Sequence, residues 1–287
     1  VARVRGPAGS KRKLGLWLKE QRTNSGLTGK QVANELGCGD PKVFRMEGGH
    51  AVPSKLELDR LFDVFGVSDD QERDLIRQLA ADAKSRHWTS DFESVMPPKF
   101  DIYVGREEDA SSIYVYETHL IQGLLQTQDH MRALLAATNP QDGAEDVERL
   151  VEFRTRRQQI LEREPEPLSL WVVMDEAALR RPVGGIEVHR QQLQQLLDIT
   201  QKPNVNLQVI PESVGAHAGL SGPFSLLEFE PDEPTMVYIE GQGGNLYLDK
   251  PREIRRHKLL WNHIVDVASP TATSTRLIKK AMEELSS

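Results

Sequence analysis

A single cysteine, Cys38, stands among 287 residues, which excludes an internal disulfide and any zinc site built on several thiolates. Long apolar runs are absent too. Nothing approaches the roughly 20 consecutive apolar residues that cross a bilayer. The basic start VARVRGPAGSKRK is followed by no apolar segment of the signal-peptide kind, so neither secretion nor membrane insertion is predicted and a cytoplasmic location is expected. The histidines, His119, His130, His189, His217, His257 and His263 among them, are scattered with no i, i+4 pair, and no metal site is predicted from such spacing. The phrases GQGGN and PVGG lack the lysine of a phosphate-binding loop and the strand-to-helix setting of a dinucleotide fingerprint. They read as tight turns, and no cofactor is expected.

What the chain does have is charge, unevenly placed. Through Arg60, twelve Lys and Arg face six Asp and Glu, whereas the remainder holds 24 against 37, for a net charge of −7. A basic end on an acidic body points to the first part as the one that meets a polyanion, with a merely solvated basic tail as the alternative. The length predicts two domains. Residues 1–10, without periodicity, read as a flexible basic arm, and residues 11–87 as a domain of five short helices. Residues 88–105 hold two prolines and no sustained period and read as a linker. Residues 106–287 read as a mixed α/β (α+β) domain. In it SIYVYE, LSLWVVM, VNLQVI, FSLLEF, TMVYIE and NLYL have the short β-branched and aromatic character of strands. Helical segments alternate with them, and the order of the strands is left open.

The helical part contains LTGKQVANELGCGDPKVFRMEGG, Leu27 to Gly49. Thr28 is placed to cap one helix running through Leu36, and Asp40 to cap another running to Met46 or Glu47, with Pro41 tolerated in its first turn. Val32 and Ala33 would be the inner residues of the first helix, Val43 and Met46 those of the second, and Gly37 suits a left-handed residue between them. Two short helices joined by such a sharp turn can set the second into the major groove of DNA while the first crosses the backbone.

This pattern resembles the Xre-type helix-turn-helix domains of small repressors over about Leu14 to Val67. The resemblance implies an all-α, lambda-repressor-like five-helix domain. The phrases THLIQGLLQTQDHMRALL, DEAALRRPVGG, LQVIP, GAHAGLSGPFSLLEF and VYIEGQGGNLYLDKP are similar to the C-terminal domain, long of unknown function, that accompanies such units in actinomycete regulators. Together these likenesses imply a cytoplasmic transcriptional regulator, frequently encoded beside a small partner protein that it binds. Many relatives carry Gln at the position of Gly29 and polar residues at Gly39, Asp40 and Pro41. Here Gly39 and Pro41 offer a base no side-chain donor, and Asp40 serves either as an acceptor from cytosine or as a helix cap.

Basic residues remain as the expected contacts. Lys42, one turn into the second helix, is the candidate for a base contact, and Arg45 for a base edge or phosphate unless it pairs with Glu47. Lys30 and Thr28, at the start of the first helix, are expected at the DNA backbone. Lys11, Arg12 and Lys13 either gather phosphates from the arm or only solubilise it. One such module reads few bases, so a homodimer on two half-sites about 34–36 Å apart is expected.

In the second domain Glu117 ends a strand, His217 lies on a Gly/Ala loop and Glu240 leads into a Gly-rich loop. The three are candidates to converge on a polar ligand, with structural hydrogen bonding as the alternative. An enzyme acting on a nucleotide-like ligand in that cleft, or an antitoxin-like component that binds a partner, are the competing functions. No catalytic residue is assigned and no enzymatic activity is expected.

Overall fold

The computed structural model describes residues 6–229, 233–241 and 243–285, and the chain divides into two compact units between Ser90 and Asp91. The first unit is all helical: α1 Pro7–Asn24, α2 Gly29–Glu35, α3 Asp40–Glu47, α4 Lys55–Phe65 and α5 Asp70–Lys84. Leu14 and Leu18 of α1 meet Val32, Ala33, Val43, Met46, Leu58, Leu61, Phe62, Val67, Ile76 and Ala80 in one core. The ends follow from local chemistry. Ser54 and Glu57 form a reciprocal capping box at the start of α4, and Gly66 stops that helix at φ 70°, a conformation open to glycine and strained for other residues.

The expected arm is replaced, within the described residues, by helix. Pro7 occupies the first turn of α1, where its missing N–H costs nothing, so Lys11, Arg12 and Lys13 ride on a helix. The remainder of the arm, residues 1–5, lies outside the described residues. Residues 88–105 are also more ordered than a linker. They contain a 3-10 turn, Trp88–Phe92, and the first part of α6, Phe100–Asp109. That helix was illegible because its buried face carries Arg106, Glu107 and Asp109 beside Tyr103 and Val104, and charge reads as surface when its partner is distant in sequence.

The second unit is a mixed α/β fold around one six-stranded sheet: β1 Ser112–Glu117, β2 Ser169–Asp175, β3 Val205–Ile210, β4 Phe224–Glu228, β5 Met236–Ile239 and β6 Leu246–Leu248, in the order β3-β2-β1-β4-β5-β6. The first three strands are parallel and the last three join them antiparallel. Helices α7 Gln128–Thr138 and α8 Ala144–Gln158 lie in the β1–β2 connection, α9 Ala177–Arg180 and α10 Ile186–Ile199 in the β2–β3 connection, and α11 Pro251–Val267 and α12 Thr271–Glu284 close the chain. Parallel pairs need such crossovers. Trp261 and Ile264 of α11 pack with Tyr116, Val173, Phe224 and Val237 of the sheet.

Two histidines are buried here, His130 of α7 and His189 of α10, 6.3 Å apart between ring centroids. His189 Nε2 lies 2.8 Å from the Leu179 carbonyl, whereas neither ring nitrogen of His130 has a hydrogen-bond partner among the described residues. Burial first, then His189 and Arg154, hold His130 down to about 4 from an ordinary 6.5. The neutral ring is thus favoured in the folded chain. Its contribution to stability is complete above pH 6.5 and is lost progressively as pH falls to about 4, on the order of 3 kcal/mol in all. His130→Leu is expected to flatten the dependence of second-unit stability on pH across that window by close to one proton. Hydrogen-exchange protection of the β1 and β2 amides at pH 7 and pH 5 measures it, and an unchanged slope would refute the assignment.

Candidate nucleic-acid interface

Thr28 opens α2 through a complete capping box. Its Oγ1 accepts from the Gln31 amide at 3.3 Å and donates to Gln31 Oε1 at 2.8 Å, while the Thr28 amide donates to the same Oε1 at 2.8 Å. The hydroxyl serves the cap in this structure. Lys30 beside it is exposed and has no ion pair among the described residues. Gly37, at φ 63°, makes the turn, and Cys38 packs partly buried against the core.

Helix α3 begins one residue earlier than expected. Gly39 is its N-cap, without any side-chain hydrogen bond, and Asp40 stands inside the first turn followed by Pro41. Asp40 is thus not the cap; its carboxylate lies where the helix dipole favours negative charge. Val43 and Met46 face the core at 2% exposure each. The helical period then turns Lys42, Phe44 and Arg45 outward, and all three are exposed.

The two candidate reading cations differ in state. Lys42 is engaged by Glu57 of α4, the same carboxylate that accepts from the Ser54 amide. The hydrogen bond from Lys42 is the main cause that holds Glu57 down to about 2. Exposed pairs of this kind are weak, so a phosphate or base edge can displace Glu57. Arg45 makes no ion pair among the described residues. Its expected competitor Glu47 is taken by Arg22 of α1, whose Nε and Nη2 donate to the two carboxylate oxygens at 2.5 and 3.0 Å while Nη1 donates to the Leu27 carbonyl at 3.0 Å. One guanidinium thus ties α1, the α1–α2 turn and α3 together, and Arg45 stays available.

The trio proposed for the second unit does not converge. Tyr116 and Glu117 are consecutive in β1 and so point to opposite faces of the sheet. Glu117 is half-buried, and burial together with the nearby Glu240 carboxylate pushes it up to about 8. His217 instead joins Tyr116 and Asp175. The Tyr116 hydroxyl donates to Asp175 Oδ2 at 3.0 Å, and His217 Nε2 lies 3.4 Å from Oδ1. His217 Nδ1 accepts from the Gly219 amide at 3.2 Å, which turns Nε2 to the Asp175 side. A Cβ on Gly219 would lie 2.4 Å from Tyr116 Cζ. This closed clasp, with the His217 side chain 4% exposed, pins the β3–β4 loop to the ends of β1 and β2. Asp175 was missed because nothing local marks it: it pairs across 59 residues of sequence.

Among the described residues no group of three or more His, Cys, Asp or Glu is placed to hold a metal ion, and no helix is long and apolar enough to cross a membrane. Compared with known proteins, residues 13–76 match a family described as a helix-turn-helix domain, and residues 100–280 match one described as a domain of unknown function, DUF5753. No curated protein and no solved structure matches the chain. Because the second match spans more than half of its residues, the chain belongs to the DUF5753 family, with a helix-turn-helix domain ahead of that domain.

Proposed function

We propose that the chain is a DNA-binding transcriptional regulator, without enzymatic activity of its own, whose first unit holds an operator and whose second unit senses a ligand or small partner protein. The observation that carries the DNA reading is the exposed face of α3, where Lys42 and Arg45 project from a helix held by its core residues and by the Arg22–Glu47 pair. Lys30 lies at the start of α2 as a backbone contact, and Lys11, Arg12 and Lys13 add positive charge along α1. In this reading the unit belongs with Xre-type repressors and acts as a homodimer on two half-sites. Glu117 and Glu240 mark one face of the second unit as the place to look for a polar ligand.

The test is binding of the full chain to duplex fragments, its own upstream region against random sequence, at two salt concentrations. Lys42→Ala/Arg45→Ala is expected to lose most sequence preference, since each base contact contributes roughly 1–3 kcal/mol of discrimination. Lys30→Ala is expected to weaken all duplexes alike and to lower the slope of log K against log salt by about 0.9. Binding that ignores both sequence and the double substitution would reject the reading.

A further inference from the structure

Phe44 is 60% exposed on α3, between Lys42 and Arg45, whereas its neighbours Val43 and Met46 are each 2% exposed. It takes no part in the core of the helical unit. Nor does the ring hang free. A Cβ built on Gly29 would lie 3.3 Å from Phe44 Cζ and 3.7 Å from each Cε, so the face of the ring near its tip lies over the first residue of α2. Gly29 has no left-handed backbone that would call for glycine; what its missing side chain provides is room for the ring. The phenyl therefore links the middle of α3 to the start of α2, and Lys30 and Arg45, each next in sequence to one of the two touching residues, are exposed as well.

We propose that Phe44 reads thymine through its C5-methyl group. The inference rests on the helix-turn-helix reading above and deepens it. A phenyl ring has neither donor nor acceptor for a base edge, and the one apolar group that the four base pairs present in the major groove is the thymine methyl. An aromatic side chain seated against α2 on the outward side of α3 meets that methyl when the exposed cations of the unit take the polar groups around it. Selectivity missing from Gly39 and Pro41 is recovered through an apolar contact instead of a hydrogen bond.

The experiment uses the full chain. A preferred duplex is enriched from a random pool, and each of its thymines is then replaced singly by deoxyuridine, which removes only the methyl. Wild type is expected to lose about fourfold in affinity at one or two positions, the effect of one methylene-sized group taken out of water. Phe44→Ala is expected to keep binding but to bind the thymine and deoxyuridine duplexes equally. Phe44→Leu should keep part of the difference. Because the ring is exposed, these variants leave the core intact. Discrimination undiminished in Phe44→Ala, or an enriched site in which no thymine responds, would overturn the assignment to Phe44 alone. Failure of any duplex to be enriched would sink base reading by α3, and the role of Phe44 with it.

Discussion

Glu107→Ala is expected to destabilise the second unit by about 3–5 kcal/mol, the usual result of stranding one charge of a buried pair. Arg157 of α8 donates from Nε and Nη2 to the two oxygens of Glu107 at 2.8 Å each, and the side chains are 9% and 1% exposed. The guanidinium sits 5.0 Å from the Phe100 ring centroid, 5.6 Å from that of Tyr103 and 5.9 Å from that of Phe153. Water has little access to it once the carboxylate is gone. Charge removed from both sides should behave differently: Glu107→Leu/Arg157→Met is expected to recover most of the loss, because a hydrophobic pair of similar volume escapes the desolvation cost. Urea unfolding of the three variants, with hydrogen exchange to assign the change to the second unit, measures both effects. A loss below about 1 kcal/mol in Glu107→Ala would mean that the pair is hydrated in solution.

The second large effect is expected at Gly15, and it bears on DNA recognition. A Cβ there would lie 2.6 Å from the Glu47 carbonyl oxygen, 2.8 Å from that of Met46 and 2.9 Å from the Gly49 amide nitrogen. All three are backbone atoms at or just past the end of α3, so no side chain can swing aside. Alanine is better than glycine inside a helix by about 1 kcal/mol, yet an overpacked contact costs about 1–3 kcal/mol and the helices must separate to relieve it. Separation stretches the Arg22–Glu47 bridge that holds α3 in place. Gly15→Ala should therefore lower the stability of the helical unit and weaken sequence-specific DNA binding by more than tenfold. Gly15→Ala with undiminished stability would show that α1 does not approach α3 so closely.

Much of the interface was legible because its rules are local. The spacing of Val43 and Met46 determines which side of α3 faces outward, so Lys42 and Arg45 could be named from the sequence. The same phase marks Phe44 as an apolar residue turned the wrong way for a core, a signal available in the chain and passed over. The states of those cations were not legible. Whether Lys42 is engaged depends on Glu57, 15 positions away, and whether Arg45 is available depends on Arg22 claiming Glu47 across 25.

By itself the sequence determined the helical first unit, the turn at Gly37, the positions of the six strands and most helices of the second, and the cationic face, because hydrophobic period, capping and turn chemistry act within a few residues. Tertiary structure alone decided the order β3-β2-β1-β4-β5-β6, the inward turn of Glu107 and Arg157, and the clasp of Tyr116, Asp175 and His217 in place of a cleft shared with Glu117 and Glu240. These outcomes depend on which distant segments lie side by side. Alternation along β1 sends Tyr116 and Glu117 to opposite faces, but only the neighbours that pairing supplies determine what each one meets.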